Sequence, residues 1–178
     1  MSRQKQTLFL IDGSHYDRLR SVFETPFDLR KLADAANGGL PVDQAIYYRD
    51  VRDDNEAERQ RPLFGWLKHN GFVVKGRTHG RGDPRERYGT NLIQIAVDAF
   101  LLAEPGDHVM VLAGDGKLEP MFAGLRDYDI KVTLVSTMDA STTIAPPSML
   151  IEAADTFIDV KTIIGRLALE KPDTRQAD

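Results

Sequence analysis

The chain of 178 residues carries a formal net charge of −4 and a pI near 5.6, so its overall field repels polyanions and any nucleic-acid contact must come from a local basic surface. It has no cysteine, which excludes disulfide frameworks, thiolate metal sites and cysteine nucleophiles together. The length suits one sizeable core and no shift in composition divides it, so a single domain over residues 1–169 is expected, followed by a mobile polar tail at 170–178.

At the N-terminus, "MSRQKQTLFLID" has an apolar run too short for a secretory leader, and no later stretch approaches membrane-spanning length. A soluble, cytoplasmic protein without a membrane partner is expected. Short runs rich in β-branched residues predict strands at "TLFLI" from Thr7, "QAIYY" from Gln44, "FVVKG" from Phe72, "HVMVLA" from His108, "KVTLVS" from Lys131 and "TFIDV" from Thr156. Helical periodicity predicts helices over Phe27 to Ala36, Glu56 to Asn70, Asn91 to Ala103, Glu119 to Tyr128 and Ser148 to Ala154, with a last amphipathic one around Ile163 to Leu169. Strand and helix in alternation predict an α/β fold with a parallel sheet covered on both faces.

In such sheets the functional crevice lies beyond the carboxyl ends of the strands. Two strands end in acid-glycine there, "FLIDG" at Asp12 and "VLAGDG" at Asp115. Either can also be a simple turn or a helix cap. The helix "TNLIQIAVDAFLLA" is apolar nearly all round, which predicts burial, yet Asn91, Gln94 and Asp98 interrupt it at i, i+3 and i+7. At 3.6 residues per turn the first and last lie within about 20° of each other and form one polar stripe. A buried carboxylate at Asp98 needs a basic partner, solvent or a cation. Convergence with Asp12 and Asp115 would make a hard oxygen site suited to Mg²⁺ or Mn²⁺.

The series "LFLIDGSHY", "QAIYYRD", "GTNLIQIAVDAFLLA", "VMVLAGDGKLEPMFAGLRDYDIKVTLVS" and "LIEAADTFIDV" resembles the NYN domains, the LabA-like branch of the PIN-like nucleases, over about Thr7 to Val160. The resemblance implies a PIN-like three-layer sandwich whose strand-end acids hold Mg²⁺ or Mn²⁺ for phosphodiester cleavage. Asp12 matches the first-strand acid of the family, Asp98 the acid closing the long-helix motif, and Asp115 the first acid of a Gly-Asp-Gly-Asp-Phe signature. Three positions depart. His15 stands where the family has asparagine, and Leu92 stands where the helix should open on an acid, with Asn91 one residue earlier as the only substitute ligand. Lys117 replaces the second acid of the signature and Leu118 its phenylalanine.

Losing two carboxylates and gaining an ammonium weakens cation binding, which leaves one weakly held ion on Asp12, Asp98, Asp115 and Asn91. Lys117 is either a fixed cation steadying a phosphate, or a solvated lysine near the start of the helix that includes "EPMFAGL", or an ion pair that neutralises Asp115. His15 is either a general acid or base or a hydrogen-bonding residue beside a turn.

Ahead of the polar-striped helix, "VKGRTHGRGDPRERYGTN" carries Lys75, Arg77, Arg81, Arg85 and Arg87. Arginine forks match phosphate geometry, so the segment either tracks an RNA backbone or is a solvated basic loop. Arg49 and Arg52 are further phosphate candidates; Tyr48, with Tyr47 and Tyr88, either stacks on bases or packs on the sheet. No phosphate-loop glycine motif is present. Two functions follow: a metal-dependent ribonuclease, or a catalytically inactive domain that binds RNA or protein. A homodimer is left open.

Overall fold

The computed structural model describes residues 3–24, 27–79 and 91–167. Six parallel strands, β1 (Thr7–Asp12), β2 (Gln44–Tyr48), β3 (Val73–Lys75), β4 (His108–Leu112), β5 (Lys131–Ser136) and β6 (Thr156–Asp159), form one sheet in the order β3-β2-β1-β4-β5-β6. Each predicted strand is present. Six helices accompany them: α1 (Gly13–Val22), α2 (Leu29–Ala36), α3 (Asp54–His69), α4 (Leu92–Leu102), α5 (Glu119–Asp127) and α6 (Ser148–Ala153). This is the expected PIN-like α/β three-layer arrangement.

Successive side chains of a strand point to opposite faces, and the core divides accordingly. Leu8, Leu10, Ile46, Tyr48, Val109, Val111, Val132 and Leu134 meet Ile95 and Ala99 of α4, Phe122 and Leu125 of α5, and Leu150 of α6. Phe9, Ile11, Ala45, Tyr47, Met110, Leu112 and Val135 meet Tyr16 and Leu19 of α1, four residues of α2, and Leu67 of α3. Because the central strands are covered on both sides, they read as unbroken apolar runs.

The chain winds from β1 outward through β2 to β3, then returns along α4 to place β4 on the other flank of β1. The carboxyl ends of β1 and β4 therefore border the switch point of the sheet, where such folds open a crevice. Asp12 ends β1, and Asp115 lies three residues past the end of β4.

Three expectations need correction. First, α1 was not predicted. Its sequence "GSHYDRLRSV" offers only Tyr16 and Leu19 as buried large apolar residues, too few for a helical period to show; Asp12, for which a helix cap is one of the readings, is its N-cap. Second, α4 is not buried all round: Ile93 is 82% exposed, Val97 49%, Phe100 42% and Leu101 76%. Only its inner stripe of Ile95, Asp98 and Ala99 is buried. Third, the predicted helix at Ile163 to Leu169 is replaced, as far as Leu167, by short 3₁₀ turns at Val160–Thr162 and Ile164–Arg166. Gly165 weakens a longer helix, and the Leu167 carbonyl instead accepts the Asp28 N–H at 2.9 Å.

Candidate active site

Asp12 leaves β1 in an extended conformation and caps α1, its Oδ1 accepting the Ser14 N–H at 3.0 Å. The carboxylate is buried, and burial pushes its pKa up to about 6 against the opposing pull of the Ser14 and His15 N–H groups, Arg18 and Arg49. Gly13 is required beside it: a Cβ there would stand 2.7 Å from the Tyr47 ring and 2.7 Å from the Tyr48 carbonyl oxygen.

His15 turns inward. Its Nε2 lies 2.8 Å from Ser136 Oγ at the end of β5, its ring is 1% exposed, and burial first, then Arg18, lowers its pKa to about 4. The ring packs against Gly114, where a Cβ would come within 2.4 Å of Cε1. A neutral, enclosed imidazole of this kind joins the start of α1 to β5.

Asp115 Oδ1 accepts the Lys117 N–H at 2.9 Å and so caps a 3₁₀ turn at Gly116–Leu118 that leads into α5. Lys117 is exposed, and no ion pair joins its ammonium to Asp115. Instead it lines a cleft of about 890 Å³ together with Asp98, Asp50, Arg77, His79 and Asn91.

Asp98 is where the chemistry departs most from expectation. Its Oδ2 accepts two hydrogen bonds, from the Tyr48 hydroxyl at 2.7 Å and from the Lys75 ammonium at 2.7 Å. Tyr48 is fully buried and offers no ring face to a base. Tyr47 is likewise enclosed, edge-on to Tyr16 and Phe64. Lys75, expected on phosphate, is committed to Asp98. Arg49, also expected there, is clamped by Asp17 at 2.9 Å and Glu56 at 3.0 Å, with 13% of its side chain exposed. Arg52 lies in the turn before α3, its N–H donated to Glu56 Oε2 at 2.7 Å. Arg77 projects at the cleft, 3.8 Å from Asp50. Arg81, Arg85, Arg87 and Tyr88 lie outside the described residues.

Sequence reasoning missed Asp50. Its Oδ1 accepts from Asn91 Nδ2 at 2.7 Å and from the Arg77 N–H at 2.8 Å, and its Oδ2 lies 2.8 Å from His79 Nε2. Its own N–H donates to Asn91 Oδ1 at 2.9 Å. Burial raises the Asp50 pKa, but these bonds outweigh it and hold the carboxyl below its ordinary range. Asn91 thus fastens α4 to the end of β2. The signal was present in "YYRD", an acid two residues beyond a strand end.

These placements bear on the cation site implied by the resemblance. Asp12 and Asp115 stand at the ends of neighbouring strands, while Asp98 faces the cleft with one oxygen held by Lys75 and Tyr48. Among the described residues, no three acid or histidine side chains stand close enough to hold a metal. Lys117 places positive charge where the resemblance expects the second acid of the signature. With one Asp98 oxygen already held and no such cluster among the described residues, the ligand set Asp12, Asp98, Asp115 and Asn91 for Mg²⁺ or Mn²⁺ rests on the resemblance alone.

The family model described as NYN domain matches residues 6–164. The chain belongs to the NYN domain family. This places it in the PIN-like nuclease superfamily. The NYN chain is also similar in fold to the crystal structure of a protein of unknown function, VPA0982, from Vibrio parahaemolyticus RIMD 2210633. That match has 22% identity and a TM-score of 0.70 and covers 90% of this chain and 96% of the other. No curated protein matches it. Among the described residues no helix is long and apolar enough to cross a membrane.

Proposed function

We propose that this NYN domain binds single-stranded RNA in the cleft beside α4 and holds phosphate with fixed cations, without cutting the strand. One observation carries the reading: the Asp98 carboxylate is already neutralised by Lys75 at 2.7 Å, and Lys117 lines the same cleft. A cleft whose acids are paired and whose rim carries the Lys117 ammonium attracts an anion, because that positive charge acts at short range where the net charge of the chain is screened. Arginine and lysine at such a rim position a backbone without reading sequence.

A gel-shift assay on a single-stranded RNA tests this, with the RNA recovered afterwards on a denaturing gel. RNA should shift equally in EDTA and in Mn²⁺, emerge intact, and bind several-fold more weakly to Lys117→Glu. The second reading, metal-dependent hydrolysis, is favoured by Asp12 and Asp115 bordering the switch point of the sheet. Cleavage that requires Mn²⁺ and disappears in Asp12→Asn would replace the first reading with the second.

A further inference from the structure

Among the described residues, the outward face of α4 carries four of the nine exposed large hydrophobic side chains. Ile93, Val97 and Leu101 follow one another at i, i+4 and i+8 and form a single ridge, flanked by Phe100. Phe100 lies against Gly124 of α5, with its ring centroid 6.0 Å from that of Tyr128, which is itself 64% exposed. Isolated apolar side chains on a surface need no explanation, but a contiguous patch of this size does. Four of these five side chains belong to one helix, and Phe100 joins them to Tyr128 after α5.

We infer that this face is the contact between two copies of the chain, packed α4 against α4 about a two-fold axis. Charge and shape both select a second copy over another protein. In a two-fold contact every residue meets the neighbourhood of its own twin, so a charged face would set like charges opposite one another. The exposed face of α4 has no charge at all: its only polar residue is Gln94, and the helix's single carboxylate, Asp98, points inward. For a chain of net charge −4 this is a surface on which two copies can approach without repulsion.

Shape agrees. A ridge of i±4 spacing packs into the matching groove of an identical helix, the commonest class of helix packing, with the axes crossing near −50°. Ile93 and Val97 also line the cleft that holds Lys117, so the joint would border that cleft.

Three measurements on the full chain test the inference. Sedimentation should give twice the monomer mass at tens of micromolar, and Leu101→Glu should give the monomer with its far-ultraviolet spectrum unchanged. Because the native chain has no cysteine, Val97→Cys should cross-link to itself under mild oxidation, whereas a cysteine at Ser21 should not. Mixing Ile93→Glu with Ile93→Lys should restore the dimer that neither forms alone. A wild-type chain that stays monomeric overturns the inference and points to a foreign partner or to residues 80–90 as the cover. A dimer that survives Leu101→Glu overturns it too, by locating the interface elsewhere.

Discussion

Asp12 illustrates how one residue can serve a site and burden the fold. Its pKa is raised from 3.8 to about 6 by burial, so the folded chain holds its proton more tightly than the unfolded chain does. The stabilising contribution is complete below pH 3.8 and is lost as pH rises through 6, a penalty at neutral pH of about 3 kcal/mol. Asp12→Asn keeps an acceptor for the Ser14 N–H and removes the buried charge. We expect it to raise the melting temperature at pH 7.5 by several degrees and to have almost no effect at pH 3.5, as followed by circular dichroism.

His15 runs the other way: its pKa falls from 6.5 to about 4, so its contribution is present above 6.5 and is lost as pH falls toward 4. His15→Gln should flatten that part of the pH–stability curve.

The Lys75–Asp98–Tyr48 cluster makes a third prediction at this scale. Removing one partner of this part-buried ion pair leaves the other without its counter-charge, whereas removing both costs less. In urea unfolding, Lys75→Met should therefore destabilise more than the double variant Lys75→Met with Asp98→Leu.

At the scale of elements, the six strands were legible because each is a short β-branched run between turn residues, and the parallel sheet buries such runs whole. The helices were legible to within two residues where an apolar stripe is strong, as in α2, whose N-cap Asp28 accepts from Arg30 and Lys31. They were not legible where capping rather than periodicity starts the helix, as in α1. For α4 the period was read but its meaning was not: apolar residues all round signalled burial, while only one face touches this chain.

Within the site, the strand-end positions of Asp12 and Asp115 could be read from the pattern of acid after apolar run. The partners of Asp98 could not, because Lys75 lies 23 residues away on the edge strand and only the fold brings the two together. Asp50 shows the same limit. It joins β2, the stretch after β3 and the start of α4 through side-chain bonds to Asn91 and His79 and a bond from the Arg77 N–H, and nothing local announces them. We expect Asp50→Ala to cost more stability than Asn91→Ala, because the aspartate serves all three segments. The measurement is the urea midpoint of each variant, and equal midpoints would show that Asn91 alone matters.

At the scale of the whole molecule, the excess of acid sets the terms on which RNA can approach. Only local cations contribute, so the affinity should fall with salt far less steeply than for a basic nucleic-acid-binding domain. For a single strand each phosphate contact contributes a slope of about −0.7. Lys117→Gln should make the slope of log affinity against log salt shallower by about that amount, measured by fluorescence anisotropy on a labelled oligonucleotide. An unchanged slope would place Lys117 away from the bound strand.

The bond between Lys75 and Asp98 also constrains what this scaffold can become. Lys75 ends the edge strand and Asp98 sits on the helix that returns the chain to the centre of the sheet, so their pairing anchors a margin only three residues wide. Grafting carboxylates onto positions 92 and 117 would supply ligands yet leave the third one occupied, and releasing it would loosen that margin. On the proposed binding reading, conversion to a cutting enzyme is thus a concerted change, and each intermediate variant would be frail before it was active.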